Sequence, residues 1–344
     1  MYQIELNHFF TGKCEFPAPE FGEFSFIDLF AGIGGFRLAM QSVGGKCVFS
    51  SEWNKDSQTT YFDNFGELPA GDITAIAEHD IPDHDVLCAG FPCQPFSLAG
   101  VSARTSLNTA HGFACETQGT LFFDVMRIVA AKRPAVIFLE NVKNLVRHDK
   151  GNTFAIIKKA IETLGYSFSY AVINAQTVVP QKRERCYIVC LRDSHEKFEF
   201  PNFLGDPIPL KTILDPNVPD TYTISDKLWA GHQRRTATNL ARGAGFTAFC
   251  ADIEKPANTL VARYWKDGKE CLIPQQDKNP RMLTPRECAR LQGYPESFRL
   301  PASKAAAYRQ FGNSVALPVV TKIAEKIFNH LAKLKVCDLE PVKN

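Results

Sequence analysis

The chain has 344 residues, enough for about two domains at roughly 150 residues each and for a sizeable buried core. With 45% hydrophobic and 22% charged residues it is composed like an ordinary folded protein, which excludes a disordered or fibrous chain. A net charge of +2 means that any basic surface must be local. No run approaches the ~18 uninterrupted apolar residues of a membrane span, and residues 1–23, broken by Glu5, His8, Lys13 and Glu15, lack a signal-peptide block. The expected location is the cytoplasm. Eleven cysteines without Cys-x-x-Cys pairs or Cys/His clusters are expected to be reduced thiols, with neither a disulfide framework nor a metal site.

In chain order, the first half alternates short apolar runs with helical ones. Phe24–Phe30, Cys47–Glu52, Val86–Gly90, Ala135–Glu140 and Cys186–Arg192 read as strands buried on both faces. Gly35–Ser42, Asp56–Phe65, Gly119–Lys132 and Thr153–Leu164 read as the helices between them. Right-handed crossovers then give a doubly wound, mostly parallel, Rossmann-like α/β domain over residues 1–192. Beyond it, prolines at 201, 207, 209, 216 and 219 mark a linker or the entry to a second unit, residues 193–281, expected to be smaller, irregular and β-rich. Within it, residues 193–229 set three lysines against seven acids, whereas residues 234–281 set nine cations against five acids. The basic part suits a phosphate backbone, and a merely solvated face is the plain alternative. From Thr284 helical patterning resumes, with an amphipathic run over Val319–Leu334, and residues 282–344 are expected to return to the first domain.

Three motifs carry chemistry. Phe30-Ala31-Gly32-Ile33-Gly34-Gly35 follows the first strand and opens a helix, which allows a ligand to approach the backbone; a structural tight turn is the alternative. Glu52 at the end of the second strand suits ribose hydroxyls, and Asp72 before Ile73 suits an amine, which together suggest an adenosine-containing cofactor. In Gly90-Phe91-Pro92-Cys93-Gln94, a cysteine stands beyond the carboxyl end of a strand, and a long polar loop follows it. A thiolate there would be a strong nucleophile. Glu140-Asn141-Val142 closes the fourth strand; a carboxylate buried there needs a partner, for which Arg183 and Arg185 are candidates.

With Asp28-Leu29-Phe30-Ala31-Gly32-Ile33-Gly34-Gly35, Glu52-Trp53, Gly71-Asp72-Ile73, Gly119-Thr120-Leu121-Phe122, Gln181 to Arg185, Thr284-Pro285-Arg286-Glu287 and Phe311-Gly312-Asn313-Ser314-Val315, these motifs stand in the order of a known family. The chain resembles the DNA (cytosine-5) methyltransferases, of restriction–modification or orphan type. The resemblance spans nearly everything outside residues 193–280. It implies S-adenosylmethionine as methyl donor, with a cofactor site of Phe30, Gly32, Gly34, Glu52, Trp53, Asp72, Ile73, Gly90, Pro92, Leu121, Asn313 and Val315. It implies Cys93, Glu140, Arg183 and Arg185 as the catalytic set, acting on a cytosine flipped out of duplex DNA through a covalent bond from Cys93 to C6. Residues 101–118 look inserted relative to short members.

Residues 193–280 fall in the family's variable recognition region, where Ala241 to Phe246 and Thr259 to Gly268 resemble members that read CC…GG sites. A C/G-rich palindrome is the expected target. Arg242 and Arg263 are candidates for guanine O6 and N7, with Lys266, Arg234 and Arg235 beside them, and a phosphate role is the alternative. A monomer can modify such a site one strand at a time, and a cognate endonuclease is a conceivable companion. A transfer RNA cytosine methyltransferase on the same scaffold is the main competing reading. A nicotinamide-dependent oxidoreductase would leave Cys93, Glu140 and the arginines without a joint task, and a silent DNA-binding module would leave an intact catalytic set unused.

Overall fold

The structure, a computed structural model, describes residues 14–92, 121–243, 248 and 250–339. Its main sheet is built from β1 (Phe24–Leu29), β2 (Gly45–Ser51), β3 (Val86–Ala89), β4 (Val136–Val142), β5 (Ser169–Asn174) and β6 (Glu184–Leu191), in the order β2-β1-β3-β4-β6-β5. Strands β2, β1, β3 and β4 pair in parallel, while β6 runs antiparallel to both neighbours. Residues of β1 alternate between two apolar layers. Phe24 and Phe26 join α1 (Gly35–Ser42) and α8 (Leu317–Leu339) on one face, and Ile27 and Leu29 join α3 (Leu121–Lys132) and α4 (Asn152–Thr163) on the other. This is the expected doubly wound, mostly parallel sheet, buried on both faces.

A third apolar cluster binds the rest of the chain to this scaffold. It unites Ile33 and Leu38 of the first turn and α1, and Tyr61 and Phe65 of α2 (Lys55–Phe65), with Leu260, Tyr264, Phe298 and Phe311. Two further helices belong to this part, α6 (Pro285–Leu291) and α7 (Lys304–Asn313). Thr284 caps α6 in a reciprocal box with Glu287, which also forms a buried ion pair with Arg281 at 2.8 Å.

Two elements depart from expectation. Strand β5 was not foreseen, because Ser-Tyr-Ala-Val-Ile-Asn has no clean alternation and its residues Tyr170 and Val172 are exposed at the sheet edge. Among the described residues of 193–281, the β-rich character expected of this unit is limited to isolated bridges and one hairpin, β7 (Ile273–Gln275) with β8 (Lys278–Arg281). The longest element there is α5 (Asp226–Ala241), which buries only His232 and so carries no apolar stripe to betray it. Ser225 caps it. Among the described residues, no helix is long and apolar enough to cross a membrane, and no cluster of three metal-ligating side chains occurs.

Candidate active site

Where β1 ends, the backbone makes a left-handed turn through Phe30 (φ 57°), Gly32 (φ 55°) and Gly34 (φ 83°) before α1 begins. Glu52, at the end of β2, holds this turn. Its Oε2 accepts from the Gly32 N–H at 2.8 Å and its Oε1 from the Asn54 N–H at 2.8 Å. Burial pushes the Glu52 carboxyl up from the ordinary range, and these backbone donors oppose the shift. A side chain on Gly32 would meet nothing closer than the Phe30 carbonyl at 4.0 Å, so an open cradle lies there. A side chain on Gly34 would instead come within 2.2 Å of the Phe65 ring, so this glycine serves packing against α2 and does not line the cleft.

Across the sheet, Glu140 near the end of β4 faces Arg185, whose Nε lies 3.1 Å from Oε1. The reversed direction of β6 explains the meeting. Arg185 stands at the start of its strand, in register with Val142 at the end of β4, so both side chains reach the same carboxyl edge. The two are only 14% and 12% exposed. Burial pushes the Glu140 carboxyl up, while Arg185 and then Arg183 pull it down. Asn141 donates from Nδ2 to the Phe91 carbonyl at 2.8 Å, fixing the backbone one residue before Pro92.

Arg183 behaves differently from Arg185. It is buried and donates to the carbonyls of Leu260 (3.0 Å), Gly312 (3.2 Å) and Ser314. Burial and the neighbouring Arg185 push its guanidinium down to about 9.

Both halves open into one cleft of about 440 Å³. Of the predicted residues, Phe30, Gly32, Glu52, Trp53, Gly90, Pro92, Leu121, Glu140, Arg183, Arg185, Asn313 and Val315 line it. Asp72 and Ile73 do not: the Asp72 carboxylate caps its own turn through the Thr74 N–H and hydroxyl, and Ile73 is buried in the apolar layer under α3. Cys93 and the predicted loop 101–118 lie outside the described residues. The cleft also takes in residues that sequence reasoning missed, among them Asn54, Ser57, Arg309 and Gln310. Arg309 pairs with Asp56 at 3.1 Å, tying α7 to α2. Its position four residues before Asn313 on one helix was the available signal.

The candidate DNA-reading cations gather on two neighbouring elements. Arg234 and Arg235 are exposed on α5, and Arg242 follows its end. Arg263 and Lys266 are exposed on the 3-10 turn Ala262–Lys266, where Lys266 Nζ lies 5.5 Å from the centre of the exposed Trp265 ring. Asp267 joins the two elements, accepting from His232 Nε2 at 3.0 Å through its carbonyl and lying 3.9 Å from Arg235 through its carboxylate. Other cations of the region are engaged elsewhere: Arg281 is buried on Glu287, Lys278 pairs with Asp220 and Lys255 with Asp252.

The sequence model of the C-5 cytosine-specific DNA methylase family matches residues 24–329. The chain belongs to this family. Among relatives of this methylase, the type II methyltransferase M.SsoII of Shigella sonnei is 50% identical over 329 residues, covering 94% of this chain and 84% of that protein. The DNA-cytosine methyltransferase of Escherichia coli K12 is 45% identical over 362 residues, covering 88% and 77%. The Dnmt2 methyltransferase of S. pombe shares the fold of this methylase, with a TM-score of 0.70 at 17% identity, covering 90% of this chain and 99% of that one. The enzyme is therefore a DNA cytosine-5 methyltransferase, and a methyl donor is implied.

Proposed function

We propose that the enzyme transfers a methyl group from S-adenosylmethionine to C5 of a cytosine rotated out of duplex DNA, within a C/G-rich palindrome of CC…GG type. One observation carries the reading: the Glu52-anchored glycine turn and the Glu140–Arg185 pair face a single cleft. The residues present fit the donor. Gly32 leaves a cradle open, Glu52 offers a carboxylate suited to ribose hydroxyls, and Trp53, 74% exposed, offers a flat wall for adenine. Asn313 and Val315 also line the cleft. When bound, the donor supplies an electrophilic methyl sulfonium.

The chain's own groups would prepare the base. Cytosine C5 is a weak nucleophile, so the Cys93 thiolate adds to C6, forming an S–C6 bond and placing the electron pair on C5 as an enamine. Glu140, with its carboxyl pushed up by burial, donates its proton to N3 as charge builds there, and Arg185 binds O2. After methylation a base takes the C5 proton, the C5=C6 double bond re-forms as the S–C6 bond breaks and the thiolate leaves, and N3 returns its proton to Glu140. Extrusion of the base costs a few kcal/mol, which phosphate and base contacts offset. Residues 193–281 act as the recognition unit, with Arg242 and Arg263 set to read guanine edges and Arg234, Arg235 and Lys266 beside them.

Labelled S-adenosylmethionine should deliver methyl groups to duplex DNA, and bisulfite sequencing should place them at one recurrent site. Incorporation into transfer RNA alone, or none at all, overturns the reading.

A further inference from the structure

Besides lining the cleft near Glu140, Arg183 occupies a junction between two separate segments of the chain. Its side chain is buried, and its fork satisfies carbonyls on two separate segments: Leu260 on one side, Gly312 and Ser314 on the other. The same two segments touch directly. A Cβ on Gly312 would lie 2.4 Å from the Ala262 nitrogen and 2.4 Å from the Val261 carbonyl carbon, so the two backbones are in contact. A strap of hydrogen bonds reinforces the join: Lys182 N to Ala257 O (2.8 Å), Leu260 N to Gln181 Oε1 (2.8 Å) and Thr259 Oγ1 to Lys182 O (2.5 Å).

On one side the junction leads within one to three residues to Asn313 and Val315, which line the cleft. On the other it leads into the turn that exposes Arg263 and Lys266. Because Arg183 grips backbone carbonyls, neither segment can shift without stretching its bonds to the other. We propose that Arg183 is a positioning residue that holds the cofactor loop and the DNA-facing turn in one register, so that each ligand's binding is felt at the other's site. This rests on the function proposed above. The coupling is reciprocal by thermodynamic necessity, and such couplings span about 5- to 150-fold.

The test is a linkage cycle. S-adenosylhomocysteine, which cannot turn over, is titrated calorimetrically into the enzyme with and without a duplex carrying CC…GG sites. In the unaltered enzyme the duplex should tighten binding at least about fivefold. Arg183→Lys keeps the charge but loses the planar fork, and should reduce that factor below about twofold while raising both KM values more than it lowers kcat. A merely structural arginine would lower the melting temperature and both affinities but leave the ratio unchanged, and that result overturns the proposal. So does an unaltered enzyme that methylates DNA yet shows a ratio of one. Should the lysine variant fail to fold, Thr259→Val cuts the same strap at its rim; an unchanged ratio there also overturns it. Failure of the unaltered enzyme to methylate any DNA would instead strike the function on which the proposal stands.

Discussion

Nε of Arg185 lies 3.1 Å from Oε1 of Glu140, although the two belong to strands running in opposite directions. Burial raises the Glu140 carboxyl and the arginine only partly offsets it, so the acid keeps its proton to higher pH than an exposed glutamate would. Methylation should therefore fall on the alkaline side as pH rises through this raised value. Glu140→Gln should slow the reaction by about 10²- to 10⁴-fold and remove that limb. Steady-state rates across pH decide it, and a variant that keeps the limb shows another group to be responsible.

Glu52 has two tasks, and its loss should expose both. Glu52→Ala takes the acceptor from the Gly32 and Asn54 N–H groups as well as the carboxylate offered to a ribose. Hydrogen bonds to a charged group are worth roughly 1.5–3 kcal/mol, so affinity for S-adenosylhomocysteine should drop by about one to two orders of magnitude. Calorimetric titration measures this directly; an affinity within about twofold of the parent removes Glu52 from the site.

Asp28 is fully buried on β1, and neither carboxylate oxygen has a hydrogen-bond partner among the described residues. Burial pushes it up to about 8, against the opposing pull of Arg37. The folded form thus binds a proton that the unfolded chain releases near its ordinary value of 3.8. The sign follows from linkage: this contribution is fully present below the unfolded value and is lost as pH rises through about 8. Asp28→Asn should flatten the dependence of melting temperature on pH in that window and raise it at pH 8. A parallel, unshifted curve would show that the carboxyl titrates normally.

Charge pairs of similar length should differ sharply in worth. Arg281 and Glu287 are buried, and Glu287 also serves the cap of α6 and the Asp215 N–H. Glu287→Ala strands a buried guanidinium and should cost about 3–5 kcal/mol in denaturant unfolding. Lys278 and Asp220 pair at 2.7 Å but are 52% and 76% exposed, so Lys278→Ala should cost under about 1 kcal/mol. Equal costs would show that burial is not what sets the difference.

The parts most readable from sequence were those with strong patterning. β1, β3 and β4 are short apolar runs, and α1 was bounded at Gly35 and Ser42 as observed. A buried carboxylate at 140 needs a counterion, which makes Arg183 and Arg185 candidates from chemistry alone, and the fold brings Arg185 to it. What escaped notice lacks a local signature. α5 is polar on nearly every face, and the direction of β6 depends on its partners rather than on its own residues. Arg183 and Arg185 stand two apart in one motif, yet only the fold shows that the first grips backbone carbonyls while the second meets the carboxylate. Asp72, before Ile73, reads as an acceptor for an amine of the cofactor, whereas its Oδ1 accepts from the Thr74 N–H and hydroxyl. The basic stretch over 234–281 overstated the free cations, because Arg281 is buried and Lys255 and Lys278 find acids.

The reversed β6 also decides where the protein can be held without harm. Leu191 closes that strand opposite Val136, at the rim farthest from Glu140, and the chain leaves through the exposed residues His195, Glu196 and Lys197. A fluorophore or a tether to a solid support attached there would hang from the back of the sheet, so single molecules could be anchored while DNA still reaches the front.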